Sequence, residues 1–164
     1  MPDNVYLGNP NLKKANTAIE FTQEQILEFV KCKEDPVYFA NNYIKIVSLD
    51  EGLTQFHPYH FQEKLINNFH GNRFNICKMP RQTGKSTTVV SYLLHYAVFN
   101  DSVNIGILAN KAATARELLG RLQTAYENLP KWMQQGIIAW NKGSLELENG
   151  SKILAASTSA SAVR

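Results

Sequence analysis

Residues 78–90, KMPRQTGKSTTVV, hold the side chains best suited to chemistry. Gly84-Lys85-Ser86 is the closing half of a phosphate-binding loop, G-x-x-x-x-G-K-[ST]. In such a loop backbone N–H groups and a helix N-terminus point at phosphate oxygens, and the lysine adds a mobile positive charge. Ser86 has the hydroxyl position that binds magnesium. The opening glycine is absent: five residues before Gly84 stands Met79, followed by Pro80 and Arg81, which implies a different backbone path. A guanidinium at Arg81 would lie close to the β- and γ-phosphates of a nucleotide, where it could stabilise charge on a transferred group. The plainer alternatives are a strand-to-helix turn with a surface lysine and a solvent-facing arginine. Gln62, about twenty residues upstream, offers a donor and an acceptor matching the N6 and N7 edge of adenine. Most glutamines so placed are simply solvated.

The surrounding pattern supplies the setting that a phosphate loop requires. RFNICKM (73–79) is predicted as a short strand running into the loop. After it Val89, Val90, Leu93, Leu94, Ala97 and Val98 recur with the period of a buried amphipathic helix. VNIGILA (103–109) has the length of an internal parallel strand. A second helix carries Ala115, Leu118, Leu119, Leu122, Ala125 and Tyr126 on its inner face and ends before Pro130. In SLELENGSKILAAS, Asn149-Gly150 between alternating residues predicts a two-residue hairpin.

Upstream, Thr22 and Gln25 have capping-box spacing and open a helix through about Lys33. Asp35-Pro36 gives an N-cap and first-turn proline for the short helix PVYFANNYI, and His57-Pro58 repeats that grammar. The next helix places Phe61, Leu65, Ile66 and Phe69 on one face. The expected organisation is an extended N-terminal arm over 1–20, polar and with Asn4, Asn9, Asn11 and Asn16; a helical segment over 21–70; and over 71–164 the first part of an α/β core with a parallel sheet. A doubly wound nucleotide-binding domain usually needs about five or more strands, so the chain is expected to be a truncated piece.

Composition excludes little. Of 164 residues 44% are hydrophobic and 19% charged, which fits a folded domain rather than a disordered one. A net charge of +3 without a dense basic stripe tolerates nucleic acid without arguing for it. Cys32 and Cys77 lack metal-ligand spacing and are expected to be free thiols. The start MPDNVYLGNP has no leader-like pattern, and no apolar run approaches the ~18 residues of a membrane span. No membrane association is expected.

Together the arm GNPNLKKAN, the helix FVKCKEDPVYFANNYI, the segment YHFQEKL, the loop PRQTGKST, IGILANKAATARELLGR and WNKGSLELENGSKILAAS ending in AVR resemble the large terminase subunit of contractile-tailed bacteriophages. In that family the missing glycine and the Arg-Gln inside the loop are normal. The resemblance implies a P-loop ATPase core of the ASCE type, preceded by a small helical segment, in a motor that drives double-stranded DNA into a prohead. It implies ATP and Mg2+ as cofactors, held by Gln62, Arg81, Gln82, Thr83, Gly84, Lys85, Ser86 and Thr87, with Ser86 on the metal. It implies catalytic roles for Lys85, for Arg81 as a finger within the subunit, and for Arg164, which in related motors reaches a neighbouring subunit's nucleotide. His57 stands where the family commonly has a second glutamine. Implied partners are DNA, a portal, a small terminase subunit and further copies in a ring, in host cytoplasm and not in the mature virion. The strand ending Asp-Glu, the coupling segment and the nuclease are absent from these residues, so the chain alone is expected to be inactive and marginally stable or self-associating. A helicase-like translocase and a non-catalytic nucleotide-binding module are the competing readings.

Overall fold

Thr22 opens the first long element as its residue types dictate. Its hydroxyl accepts from the Gln25 N–H and the Gln25 side chain accepts from the Thr22 N–H, which closes a capping box on α1 (Gln23–Glu34). Asp35 then caps α2 (Pro36–Tyr43) through the N–H groups of Val37 and Tyr38, with Pro36 in the first turn where no N–H is needed. The structure, a computed structural model, describes residues 4–48 and 50–158. After α2 come β1 (Lys45–Ser48) and β2 (Gly52–Gln55), α3 (His60–Gly71), α4 (Lys85–Phe99), β3 (Asn104–Ala109), α5 (Ala112–Glu127), β4 (Ile137–Trp140), β5 (Ser144–Leu147) and β6 (Lys152–Ser157).

Two sheets result. β1 and β2 form an antiparallel hairpin, and the larger sheet runs β3-β6-β5-β4. β3 and β6 are parallel, whereas β6–β5 and β5–β4 are antiparallel. The fold is therefore α/β with a mixed sheet, not the parallel sheet expected. Leu119, Leu122 and Tyr126 of α5 and Leu94 and Val98 of α4 are buried with Ile107, Leu145 and Ile153 of the sheet in one hydrophobic core. On the other side of α4, Cys32, Phe39 and Ile66 bring α1, α2 and α3 into the same cluster. His95 of α4 bonds the Cys32 carbonyl at 2.9 Å through Nε2 and packs edge-on to Phe39. Cys32 and Cys77 are both free, as expected.

Several local expectations are corrected. The arm is not loose: Leu12 and Lys13 are buried, Lys14 bridges Ile137 in parallel, and Ile137 donates its N–H to the Lys13 carbonyl at 2.8 Å. Glu148 fastens it, accepting from the Asn16 N–H at 2.8 Å and pairing with Lys13 at 3.3 Å. The asparagines that suggested an irregular arm serve turns and cross-links, Asn9 reaching Glu127 at 3.2 Å. The α3 cap is Tyr59, not His57, because the Gln62 carboxamide accepts the Tyr59 N–H. Phe61 is exposed, its expected inner-face place taken by Gln62.

Residues 73–79 are not a strand. No described strand lies alongside to satisfy its ladder, and Phe74 and Ile76 are 82% and 100% exposed. β3 is an edge of the described sheet rather than internal; Ile107 is buried while Leu108 is exposed. The hairpin loop has three residues, not two. Leu147 donates to the Ser151 carbonyl, Gly150 donates to the Leu147 carbonyl, and Gly150 takes φ +82° as the left-handed member.

Candidate functional site

The phosphate-loop sequence folds as a tight turn that feeds α4. Gly84 is its N-cap at φ 71°, ψ 17°, and Lys85 is the first helical residue. A second left-handed residue, Gln82 at φ 63°, precedes it. For a residue with a Cβ that conformation is strained, and such strain concentrates at functional loops. Met79 does not have a positive φ. The loop turns at Gln82 and Gly84, so glycine is not required at 79.

Side chains close the turn from within. The Lys85 ammonium donates to the Met79 carbonyl at 3.0 Å and to the Pro80 carbonyl, leaving one of its three protons for another acceptor. The Thr83 hydroxyl donates to the Pro80 carbonyl at 3.0 Å, and the Thr88 hydroxyl to the Gly84 carbonyl at 3.0 Å. Arg81, Gln82 and Ser86 are exposed on this turn, with Thr87 half-buried beside them. Arg81 forms no ion pair and the Ser86 hydroxyl no hydrogen bond among the described residues.

Gln62 reaches the loop from α3. It is 4% exposed, donates to the Thr83 carbonyl at 3.2 Å, and accepts the Tyr59 N–H at 2.8 Å. The φ of +71° favours glycine at 84, and a Cβ there would stand 2.5 Å from Gln62 Nε2, displacing the end of that side chain from its hydrogen bonds. Between the β1–β2 hairpin, the start of α3 and the loop lies an open cleft of about 580 Å³, lined among others by Glu51, Gln55, His57, Gln82 and Thr87. Tyr59 and Phe61 stack on its rim, centroids 5.9 Å apart and planes 10° apart.

Residues 76–164 match the family described as terminase large subunit, T4likevirus-type, N-terminal. That stretch is more than half of the chain and contains the whole loop, α4, α5 and the mixed sheet. The chain belongs to this family of terminase large subunits. The family resemblance expected from the sequence thus holds, while Gln62 and the rest of the helical segment before residue 76 lie outside the matched stretch.

Of the site residues expected in this terminase, the structure gathers Gln62, Arg81, Gln82, Thr83, Gly84, Lys85, Ser86 and Thr87 around one turn and the start of one helix. Arg164 lies outside the described residues. The aromatic rim and Glu51 were not expected at the site. For Glu51 the available clue was the neighbouring Gly52, which at φ +69° closes the β1–β2 turn between the apolar residues of IVSLDEGLTQ; the rim had none. No helix among the described residues is long and apolar enough to cross a membrane.

Proposed function

We propose that this terminase chain binds ATP with Mg2+ between the loop at 79–84, the first turn of α4 and the adjoining cleft, as the nucleotide-binding part of a motor that couples ATP hydrolysis to translocation of double-stranded DNA into a prohead. One observation carries the reading. A family-typical loop turns on Gln82 and Gly84 directly into the α4 N-terminus, with a cleft of nucleotide-accommodating size beside it. The exposed Ser86 hydroxyl, in the first turn and free of protein partners among the described residues, fits a magnesium ligand. When bound, the metal would neutralise phosphate charge. Lys85 would hold the loop carbonyls and a phosphate oxygen together, and the solvent-facing Arg81 would meet charge developing on the terminal phosphate. The stacked Tyr59 and Phe61 would cover a base. Arg164 acting on a neighbour's nucleotide, a ring of copies, contacts with portal and small subunit, and work in host cytoplasm complete the proposal by family resemblance.

Lys85→Ala tests it. Each lost charge-assisted bond contributes about 1.5–3 kcal/mol, so ATP affinity should fall by about 10- to 100-fold. The carbonyls it leaves belong to an exposed turn, so circular dichroism should be unchanged. Fluorescent-nucleotide titration giving wild-type affinity in the folded variant would remove the loop from the site. One observation favours binding without turnover by these residues alone: Glu51 is the one acid among the residues lining the cleft.

A further inference from the structure

Gln62 was matched to adenine recognition because a carboxamide complements the base edge, but its polar atoms are engaged elsewhere. Its oxygen takes the Tyr59 N–H at 2.8 Å and its nitrogen gives a proton to the Thr83 carbonyl at 3.2 Å. The residue is 4% exposed, and a Cβ on residue 84 would stand 2.5 Å from its Nε2, so the end of the Gln62 side chain would have to leave its place to admit one. Thr83 in turn holds the Pro80 carbonyl, which Lys85 also holds. One bonded path therefore runs from the aromatic rim at Tyr59 through Gln62 to the turn that presents Lys85.

We propose that Gln62 is a positioning residue: it sets the Thr83–Gly84 peptide, and so the phosphate-binding shape of the loop, and it ties that shape to the rim of the cleft. This rests on the reading of residues 79–87 as a phosphate loop. Gln62 then acts on the phosphate part of any nucleotide, whatever its base. Losing the donor at residue 62 leaves the half-buried Thr83 carbonyl without its partner and the strained Gln82–Gly84 turn unsupported.

The discriminating ligand is inorganic tripolyphosphate, which has no base. Gln62→Glu keeps the size and the acceptor for Tyr59 but, ionised, places an oxygen lone pair against the Thr83 carbonyl. Displacement of a fluorescent ATP analogue from the intact chain should show tripolyphosphate, ATP and GTP all weakened about tenfold. The deficit relative to wild type should shrink as the pH is lowered and the introduced carboxylate regains a proton to donate. A loss confined to ATP, with tripolyphosphate binding as in wild type, would make Gln62 a base reader and overturn the proposal. If wild type binds neither tripolyphosphate nor ATP, the phosphate-loop reading itself falls. Hydrogen exchange on wild type gives a readout that needs no variant. Tripolyphosphate should slow exchange of the Tyr59 amide together with loop amides; a Tyr59 rate unmoved by saturating tripolyphosphate would break the link.

Discussion

Arg81 illustrates what one residue's placement can and cannot do. It is exposed on a turn, paired with no carboxylate among the described residues, and only three positions before the glycine that starts α4. A charge so free contributes little to ground-state structure, and under the proposed function its value would arise where phosphate charge grows during transfer. Arg81→Ala in the assembled motor should leave ATP affinity within about threefold while turnover falls by about a thousandfold, the lower end for such arginines. Equal losses in KM and kcat would make it a plain binding residue instead. At this scale the loop residues were legible in the sequence because glycine, lysine and serine at fixed spacing have few other uses between an extended segment and a helix. Tyr59 and Phe61 were not legible. Phe61 shares helical spacing with Leu65, Ile66 and Phe69, which suggests core, but it is Gln62 that turns inward, to bond Tyr59 and Thr83, and Phe61 is left exposed at the rim beside the cap residue Tyr59.

Between elements, His95 is the joint that fixes α4 to α1 and α2. Burial holds its pKa down to about 4 against the help of its bond to Cys32, with nearby His70 lowering it further and Asp35 working the other way. The unfolded chain takes up this proton near the ordinary histidine value while the folded chain resists it. Stability is thus complete above about pH 6.5, declines as pH falls, and levels off below about 4, a loss of roughly 3 kcal/mol at most. Glu148 adds a loss at lower pH. Burial works to raise its pKa, but the N–H groups of Asn16 and Gly136 and the Lys13 ammonium together hold it below the ordinary value. Thermal melts of wild type and His95→Leu compared from pH 7 to about 4 should therefore converge as pH falls; parallel curves would show that His95 takes up its proton without cost. The helices themselves were readable because their caps and periodicity are local: Thr22 with Gln25, Asp35 with Pro36, Ala115 through Tyr126. The strands were less so. Whether 73–79 forms a strand depends on partners distant in sequence, and whether residues 11–15 pack depends on an edge at Ile137 that no nearby residue announces.

Across the whole chain, the placement of carboxylates decides what ATP would meet. Hydrolysis in this class needs a carboxylate to orient water and another beside magnesium. Glu146 pairs with Lys152 at 2.9 Å and Glu117 with Arg121 at 2.7 Å, so each of these carboxylates is already engaged by a cation. Glu148 is bound into the arm clasp, and Asp101 sits in the turn before β3. Glu51 lines the cleft, but it belongs to the β1–β2 turn on the rim side, among Thr54, Gln55 and Tyr59, and not to the helix that carries Lys85 and Ser86. With the acids so distributed, binding and turnover separate. The 164-residue chain should bind nucleotide through its loop yet release phosphate no faster than its own Lys85→Ala variant, measured with magnesium at saturating ATP. Turnover that Lys85→Ala abolishes would place a working carboxylate within these residues, and Glu51→Gln would then show whether the hairpin swings it to the phosphates.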